Sequence, residues 1–546
     1  MKHTFHIITF FTTLLTSLFT LQSCNEDGVP GTREPRITAL DATDISYTSA
    51  TLHGKIELNS VTSMPHLYFL YGKKEDMEQG FYTQSDAISP INGNVVLPLT
   101  NLESSTNYSY ILTADNGRVQ QQSGTITFST RMKDVPTIGE VKILSQGPTS
   151  LIIGTDITDN GGEEILECGN ILKASGSSEE HRYNAMTLPI NGGEIKTKIT
   201  NLNKGTTYQI KAFARNKVGE AMNTPVDVSL GDAFILDVAG RFADLIDEQA
   251  YSLPTITICG PMNGIDFKAL RKIITQNTGT QHTYDIDITD VNVTSGGDSY
   301  YESYFTKDNT ITQYLFGGFT TLRSIKLPNE VTTIERDAFK NCSGLTTITI
   351  PPSVTNVLPS DGCTALKAIN VSPANSNYTS HDGVLFNANG TELLWIPLAK
   401  EGAFTIPNTV NTIGKYAFKG CNITRLTLPD NLTNIEQAAF AESKIETLQL
   451  PNALKTISTS LLQDCENLKT VHIGNQTELL GNYVFAGCPL TDIYVTAAIP
   501  PVCSANTFTS NGKDLRANCT LHVPSKYLQT YMYNKYWREF KDIVAM

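Results

Sequence analysis

A chain of 546 residues is long enough for three or four domains. Its formal charge of −13 and pI near 5.2 exclude nucleic acid or an anionic bilayer surface as the main partner. Charged residues make up only 17%, below the average of about 25%, and Thr, Asn and Ser fill the outward positions instead.

The first residues set the expected compartment. Lys2 and His3 form a weakly cationic start, and residues 7–21 are an apolar run too short and too near the terminus for a good spanning helix. The run ends in Leu21-Gln22-Ser23-Cys24, which resembles a bacterial lipobox. The resemblance implies a signal peptide over residues 1–23 and a lipidated Cys24. Asn25-Glu26-Asp27 is similar to the surface-export signal of Bacteroidetes lipoproteins, so an outer-membrane lipoprotein exposed at the cell surface is expected. Several acyl chains, at about 0.8 kcal/mol per buried methylene, anchor durably. Residues 24–36 complete the anchor and a Pro/Gly tether.

Two modules come next, residues 37–132 and 133–230. The phrase from Leu102 to Tyr108 returns one hundred positions later from Leu202 to Tyr208. Each Tyr opens an alternating strand, Tyr108, Tyr110 and Leu112 in one and Tyr208, Ile210, Ala212 and Ala214 in the other. This predicts a tyrosine corner, in which the hydroxyl ties the strand entry to upstream backbone. With strand-like runs at 50–56, 66–71 and 151–155, the modules resemble fibronectin type III β-sandwiches. Residues 214–219 look like that family's F–G hairpin, whereas Asp115-Asn116-Gly117 predicts a tighter turn in the first module.

Residues 231–310 read as the N-terminal cap of a repeat stack. Phe234, Val238, Phe242, Leu245 and Ile246 share one helical face. Phe267, Leu270, Ile273 and Ile274 predict a second helix with Asp266 as its N-cap. Strands are expected at 255–259 and 284–293.

From Leu322 to about Val495 one phrase recurs about every 22 residues. A unit that short cannot bury its own apolar face and must stack on its neighbours. In the copy LRSIKLP, Leu322, Ile325 and Leu327 point inward while Ser324 and Lys326 point out. Pro328, lacking an N–H, ends the strand, and Pro351, Pro407, Pro429 and Pro451 recur in that slot. Val331, Ile334, an Ala-Phe pair such as Ala338-Phe339 and a Cys complete the unit. The copy after Leu366 lacks the Ala-Phe and Cys half and carries an insertion over 375–400. The phrase resembles the BspA-type leucine-rich repeat, which implies a solenoid with a parallel sheet over 311–500. A C-terminal cap is expected over 501–546, rich in Tyr527, Tyr531, Tyr533, Tyr536, Trp537 and Phe540. The fold class is therefore multidomain and mainly β, two sandwiches followed by a capped solenoid.

Candidate chemistry is sparse. Asp285, Asp287 and Asp290 invite a metal or paired-carboxylate reading, but their place on a strand beside the repeats favours a structural one. Residues 159–164 are acidic and loop-like yet lack EF-hand spacing. No nucleophile elbow, zinc-helix, dinucleotide or phosphate-loop motif occurs where the fold could use it. No enzyme, metal or cofactor is expected. Cys342, Cys363, Cys421, Cys465 and Cys488 share one repeat slot, replaced by Ser443 in one copy, and read as small buried residues at a tight return. Cys503 and Cys519 are a candidate pair for a bridge in an oxidising exterior.

What remains is surface. The outward positions predict a continuous polar strip of about 35–40 Å at about 4.8 Å per strand. Its members include Lys326, Thr349, Asn370, Arg425, Thr427, Gln449, His472, Asp492 and Tyr494, the candidate binding face. Resemblance to the BspA type implies an extracellular protein partner, in host matrix or on a partner cell, with the sandwiches as a stalk. The alternative is a glycan-binding accessory lipoprotein of a polysaccharide-uptake system, which would want a cluster of exposed Trp or Tyr. Only Trp395 and Trp537 exist, and Trp395, in the insertion, is the one residue that could serve.

Overall fold

The computed structural model describes residues 35–58, 63–189, 192–276, 283–510 and 512–546. Cys24 and its flanking segment lie outside the described residues.

In the first module Arg36–Thr43, Ala50–Glu57 and Asn94–Leu99 form one antiparallel sheet. Thr83–Gln84, His66–Lys73, Asn107–Asp115, Gln120–Gln122 and Ile126–Ser129 form the other. Alternation along these strands sends Leu52, Ile56, Phe69, Tyr110 and Leu112 into a shared core. The second module repeats this plan, with Leu151, Ile153, Leu172, Ile199 and Ile210 inside. Both expected tyrosine corners are present. The Tyr108 hydroxyl accepts from the backbone N–H of Glu103, and the Tyr208 hydroxyl from that of Asn203, each at 2.9 Å. The tighter turn expected in the first module is not found. Asn107–Asp115 leads to Gln120–Gln122, and Thr207–Arg215 to Glu220–Met222, through connections of equal length. Asn116 and Asn216 close them by the same N–H bond, to Val119 and Gly219.

The acidic loop at 159–164 is a joint between the two modules. Asp159 accepts from the Tyr47 hydroxyl at 2.9 Å and pairs with Arg131 at 3.8 Å. Gly162, at φ +78°, lies where a Cβ would come within 2.5 Å of the Tyr47 ring, so only glycine fits.

The segment read as a cap does not close a free sheet end. One sheet runs from Gly193–Ile199 through Leu151–Asp159 and Lys142–Gln146 of the second module to Ala233–Ile235. From there it continues in parallel through Thr255–Met262, Tyr284–Asp287, Leu322–Lys326, Thr347–Ile350 and Ala368–Val371. Side chains reinforce the junction. Ser145 bonds Asp237 at 2.7 Å, Thr149 bonds Asp247 at 2.6 Å, and the Ser150 hydroxyl donates to the Leu245 carbonyl at 2.6 Å. Ile152 belongs to the same core as Phe234 and Phe242. Two helix expectations change here. Phe234 sits on a strand, and the first helix shrinks to Phe242–Leu245. The second is Gly264–Gln276, so Asp266 lies inside its first turn. Asn263 caps it instead, accepting from Ile265, while Asp266 accepts from the N–H groups of Asn263, Gly240 and Phe242.

Each repeat returns along a second wall. Short parallel pairings align Ile311 with Ile334 and Val357, Leu393 with Ile413 and Ile435, and Ile457 with Leu480. Beyond them the Ala-Phe segment makes its own ladder. Phe316 donates to Ala338, Phe418 to Ala439, Phe440 to Leu461 and Phe485 to Thr507, each reaching the next repeat. The slot two residues earlier is left-handed whatever occupies it, as in Tyr314, Asp337, Tyr416, Ala438, Ser460 and Tyr483. A tight return with satisfied backbone overrides the usual residue preference there.

The irregular copy is a full repeat with a hairpin inserted. Tyr378–His381 and Val384–Asn387 pair antiparallel, and Glu392–Trp395 resumes the second wall. The half expected to be missing is present in shortened form. Leu393 takes the slot of Ile413, and Ile396 donates to Ala417 as Phe418 does to Ala439. Leu385 packs into the N-terminal core, and Val384 and Phe386 into the C-terminal one. The hairpin strand is thus a partition buried on both sides.

Beyond it a second parallel sheet runs through Glu401–Thr405, Asn422–Thr427, Thr447–Gln449, Thr470–Ile473, Asp492–Val495, Thr520–Val523 and Asp542–Ala545. Its last two strands fall in the segment read as a C-terminal cap. Tyr531, Trp537 and Phe540 pack beneath them, while Tyr533 is exposed. The Trp537 indole N–H donates to the Pro501 carbonyl at 2.8 Å.

Candidate functional site

The expected single strip is two separate faces. Lys326, Thr349 and Asn370 lie on the first sheet, the other six candidates on the second. The hairpin interrupts the strand ladder between Ala368–Val371 and Glu401–Thr405, so no continuous row crosses it.

The first face is largely spoken for. The Lys326 ammonium donates to Asp287 at 2.7 Å. Arg323 and Ser324 both bond Asp285, whose carboxyl is held below its ordinary range chiefly by the Arg323 hydrogen bond. The strand carboxylates are therefore ion-pair partners. Among the described residues no group of three or more His, Cys, Asp and Glu side chains is placed to hold a metal ion.

The second face presents two outward rows fixed by register. One reads Ala403, Arg425, Thr447, Thr470, Asp492, Thr520 and Asp542. The other reads Thr405, Thr427, Gln449, His472, Tyr494, His522 and Val544. Inward neighbours such as Leu426, Leu448, Val471, Ile493 and Leu521 are buried, which pins the rows outward. Six strand spacings of about 4.8 Å give a face about 29 Å long.

Its composition changes along the rows. Arg425, Thr427 and Gln449 are exposed, and Arg425 has no carboxylate partner among the described residues. Further on, three rings stack across adjacent strands. His472 and Tyr494 lie 4.4 Å apart at 13°, and Tyr494 and His522 lie 4.1 Å apart at 8°. The His522 Nε2 meets the Asp492 carboxylate at 2.8 Å, and this bond is the main reason the Asp492 carboxyl lies below its ordinary range. Partial burial, helped by the charge of His522, lowers the His472 pKa. The stack hides most ring faces against each other.

His522 escapes the sequence reading because its strand looks like part of a cap. A signal was available: Thr520-Leu521-His522-Val523 repeats the pattern of Thr470-Val471-His472-Ile473.

The cysteine slot is buried. Cys342, Cys363, Cys465 and Cys488 donate their thiols to the carbonyls of Phe316, Phe339, Phe440 and Leu462 one repeat earlier. Burial pushes the Cys342 and Cys421 thiols up to about 12. Cys503 and Cys519, a candidate pair for a bridge, are separate, buried thiols. Trp395 and Trp537 are both buried, which removes them as stacking platforms for a sugar. Among the described residues no helix is long and apolar enough to cross a membrane.

Residues 300–389 and 400–512 match the model of the BspA type leucine rich repeat region, in six copies. No curated protein matches the chain. Among solved structures it is similar to the pneumococcal vaccine antigen PcpA, at 18% identity and TM-score 0.37, covering 54% of this chain and 79% of that one. A leucine-rich repeat protein from Eubacterium ventriosum matches at 19% identity and TM-score 0.37, covering 61% and 91%. The FN1-FN3 domains of chicken CNTN1 match at 14% identity and TM-score 0.18, covering 36% and 66%.

Proposed function

We propose that this chain is a non-enzymatic cell-surface lipoprotein that binds an extracellular protein through the outward face of its second parallel sheet. Cys24 is the lipid anchor in this reading, and residues 37–132 and 133–230 are fibronectin-like modules that serve as a stalk. Residues 231–310 join the second module to the repeat stack, and residues 501–546 end the stack.

The observation that carries the reading is the unpaired, exposed Arg425 sharing one face with Gln449 and the His472–Tyr494–His522 stack. Binding hot spots are enriched in Arg and Tyr, and losing one often costs over about 2 kcal/mol.

The test is attachment of cells displaying the full chain to immobilised fibronectin, laminin and fibrinogen. Arg425→Ala with Tyr494→Phe is expected to weaken attachment at least tenfold while surface abundance stays unchanged. Unaltered attachment by that variant would move recognition off this face.

A further inference from the structure

On the return wall, away from the two outward faces, the first repeat carries an aromatic recess of about 470 Å³, within the range of small-ligand sites. Tyr301 and Tyr304 stand on a tight turn closed by the Tyr304 N–H to the Tyr301 carbonyl at 2.8 Å. The turn is anchored by buried Tyr300, whose hydroxyl lies 2.9 Å from that of Thr312 and 2.5 Å from the Gln313 carbonyl. Tyr314 completes the set from the left-handed return slot. Tyr304 and Tyr314 meet edge to face at 4.9 Å, and Tyr301 lies nearly parallel to Tyr304 at 6.5 Å. Three exposed or half-exposed rings are thus held in fixed orientation before any ligand arrives.

The charge around them is unusual for so acidic a chain. The Arg271 guanidinium lies 4.4 Å over the Tyr301 ring, and its Nη1 donates to the Tyr314 and Leu315 carbonyls. Among the described residues it has no carboxylate partner. Lys340 stands 5.5 Å from the Tyr314 ring, and its nearest carboxylate, Asp337, is 3.9 Å away. A half-buried cation with no counter-charge, a second loosely paired one and a set of ring faces lack one kind of complement. That complement is an anion carried on a flat, partly apolar body.

We propose that this recess binds an acidic saccharide, a pyranose bearing a carboxylate. The sugar's C–H face would lie on Tyr301 and Tyr304, its carboxylate toward Arg271 and Lys340, and its hydroxyls against Glu302 on the rim. Fixed rings suit a pyranose better than an extended peptide, which would need a longer groove than one repeat provides. The site is independent of the protein-binding face and stands whether or not that face binds.

The experiment is calorimetric titration of the full chain with trigalacturonate, a hyaluronan hexasaccharide and 3′-sialyllactose, each beside its carboxyl-reduced counterpart. At least one acidic sugar is expected to bind saturably, with its reduced form at least tenfold weaker. Tyr301→Ala and Tyr304→Ala are each expected to weaken binding at least tenfold. Lys340→Gln leaves the ring cluster in place and is expected to weaken the acidic sugar more than its reduced form. Near-ultraviolet circular dichroism matching the parent protein verifies that the variants keep their packing. Binding of none of the acids, equal binding of acid and reduced sugar, or displacement of the bound sugar by a decaproline peptide would each overturn the proposal.

Discussion

The ring stack makes the candidate face part of the fold, and Tyr494→Ala tests this. Ordinary outward substitutions change stability by no more than about 0.5 kcal/mol, and Arg425→Ala, with no ion pair to lose, is expected to fall in that band. Tyr494 is different, because it contacts His472 at 4.4 Å and His522 at 4.1 Å at once. Each such pair is worth about 0.5–1.5 kcal/mol beyond area burial, so losing both is expected to cost about 1–3 kcal/mol. Tyr494→Phe retains both contacts and is expected to stay within about 0.5 kcal/mol of the parent. Urea unfolding followed by fluorescence of Trp537, which is buried in the same core, reads the effect in a Trp395→Phe background. The pH dependence has a definite sign. The folded-state pKa of His472 is depressed, so its contribution is present above about 6.5 and is lost as pH falls through the folded value. Asp492, also depressed, loses its contribution only at lower pH, as acid protonates the folded carboxyl. Equal midpoints for Tyr494→Ala and Arg425→Ala between pH 5 and 8 would refute the coupling of stack and fold.

Three further expectations concern the anchor, the thiols and the module junction. Cys24→Ala is expected to release the protein from the membrane fraction or leave it unprocessed, and external protease is expected to remove the wild-type protein from intact cells. Survival of the protein in protease-treated intact cells would contradict surface display. Thiol labelling of the native protein is expected to be slow at Cys342, Cys421 and Cys465 and fast after denaturation, because all three thiols are buried away from the reagent and burial holds Cys342 and Cys421 near pKa 12, where little thiolate forms. Rapid native labelling would place the slot at the surface. A chain of residues 231–546 is expected to melt below one of residues 133–546, since it loses the Ser145, Thr149 and Ser150 bonds and the cover over Phe234. Identical melting would show that the shared sheet contributes nothing.

Periodic features are legible in the sequence and junctions are not. Inward Leu322, Ile325 and Leu327, the shared cysteine slot and both tyrosine corners follow from spacing, because each repeats a local packing requirement. The Lys142–Gln146 pairing with Ala233–Ile235 depends on two strands about ninety positions apart, and no local pattern announces it. Phe234 reads as helical because four of its neighbours at helical spacing are apolar, while the parallel strand Thr255–Met262 decides its conformation. Asp266 looks like a cap from position alone. Only the fold brings the Gly240 turn close enough to make it a three-way acceptor. The outward positions can be assigned one by one, but their continuity cannot, since a hairpin of ordinary composition can lie outside a solenoid or cut through it.

That cut divides the surface into two unequal candidates for recognition. Val384–Asn387 cannot swing away as a loop, because Leu385 and Phe386 are buried in opposite cores and moving one exposes the other. The two faces are therefore joined in folding yet separated as surfaces. On the N-terminal face the charges are already answered, Lys326 by Asp287 and Arg323 by Asp285, so a partner there would have to displace existing pairs. Only short polar side chains such as Thr349 and Asn370 remain beside them. On the C-terminal face Arg425 is unanswered and the His472–Tyr494–His522 rings are preordered by stacking, so a partner there would meet a free charge and fixed rings without ordering them first. Under this division Lys326→Ala leaves attachment unchanged, whereas loss of Arg425 does not.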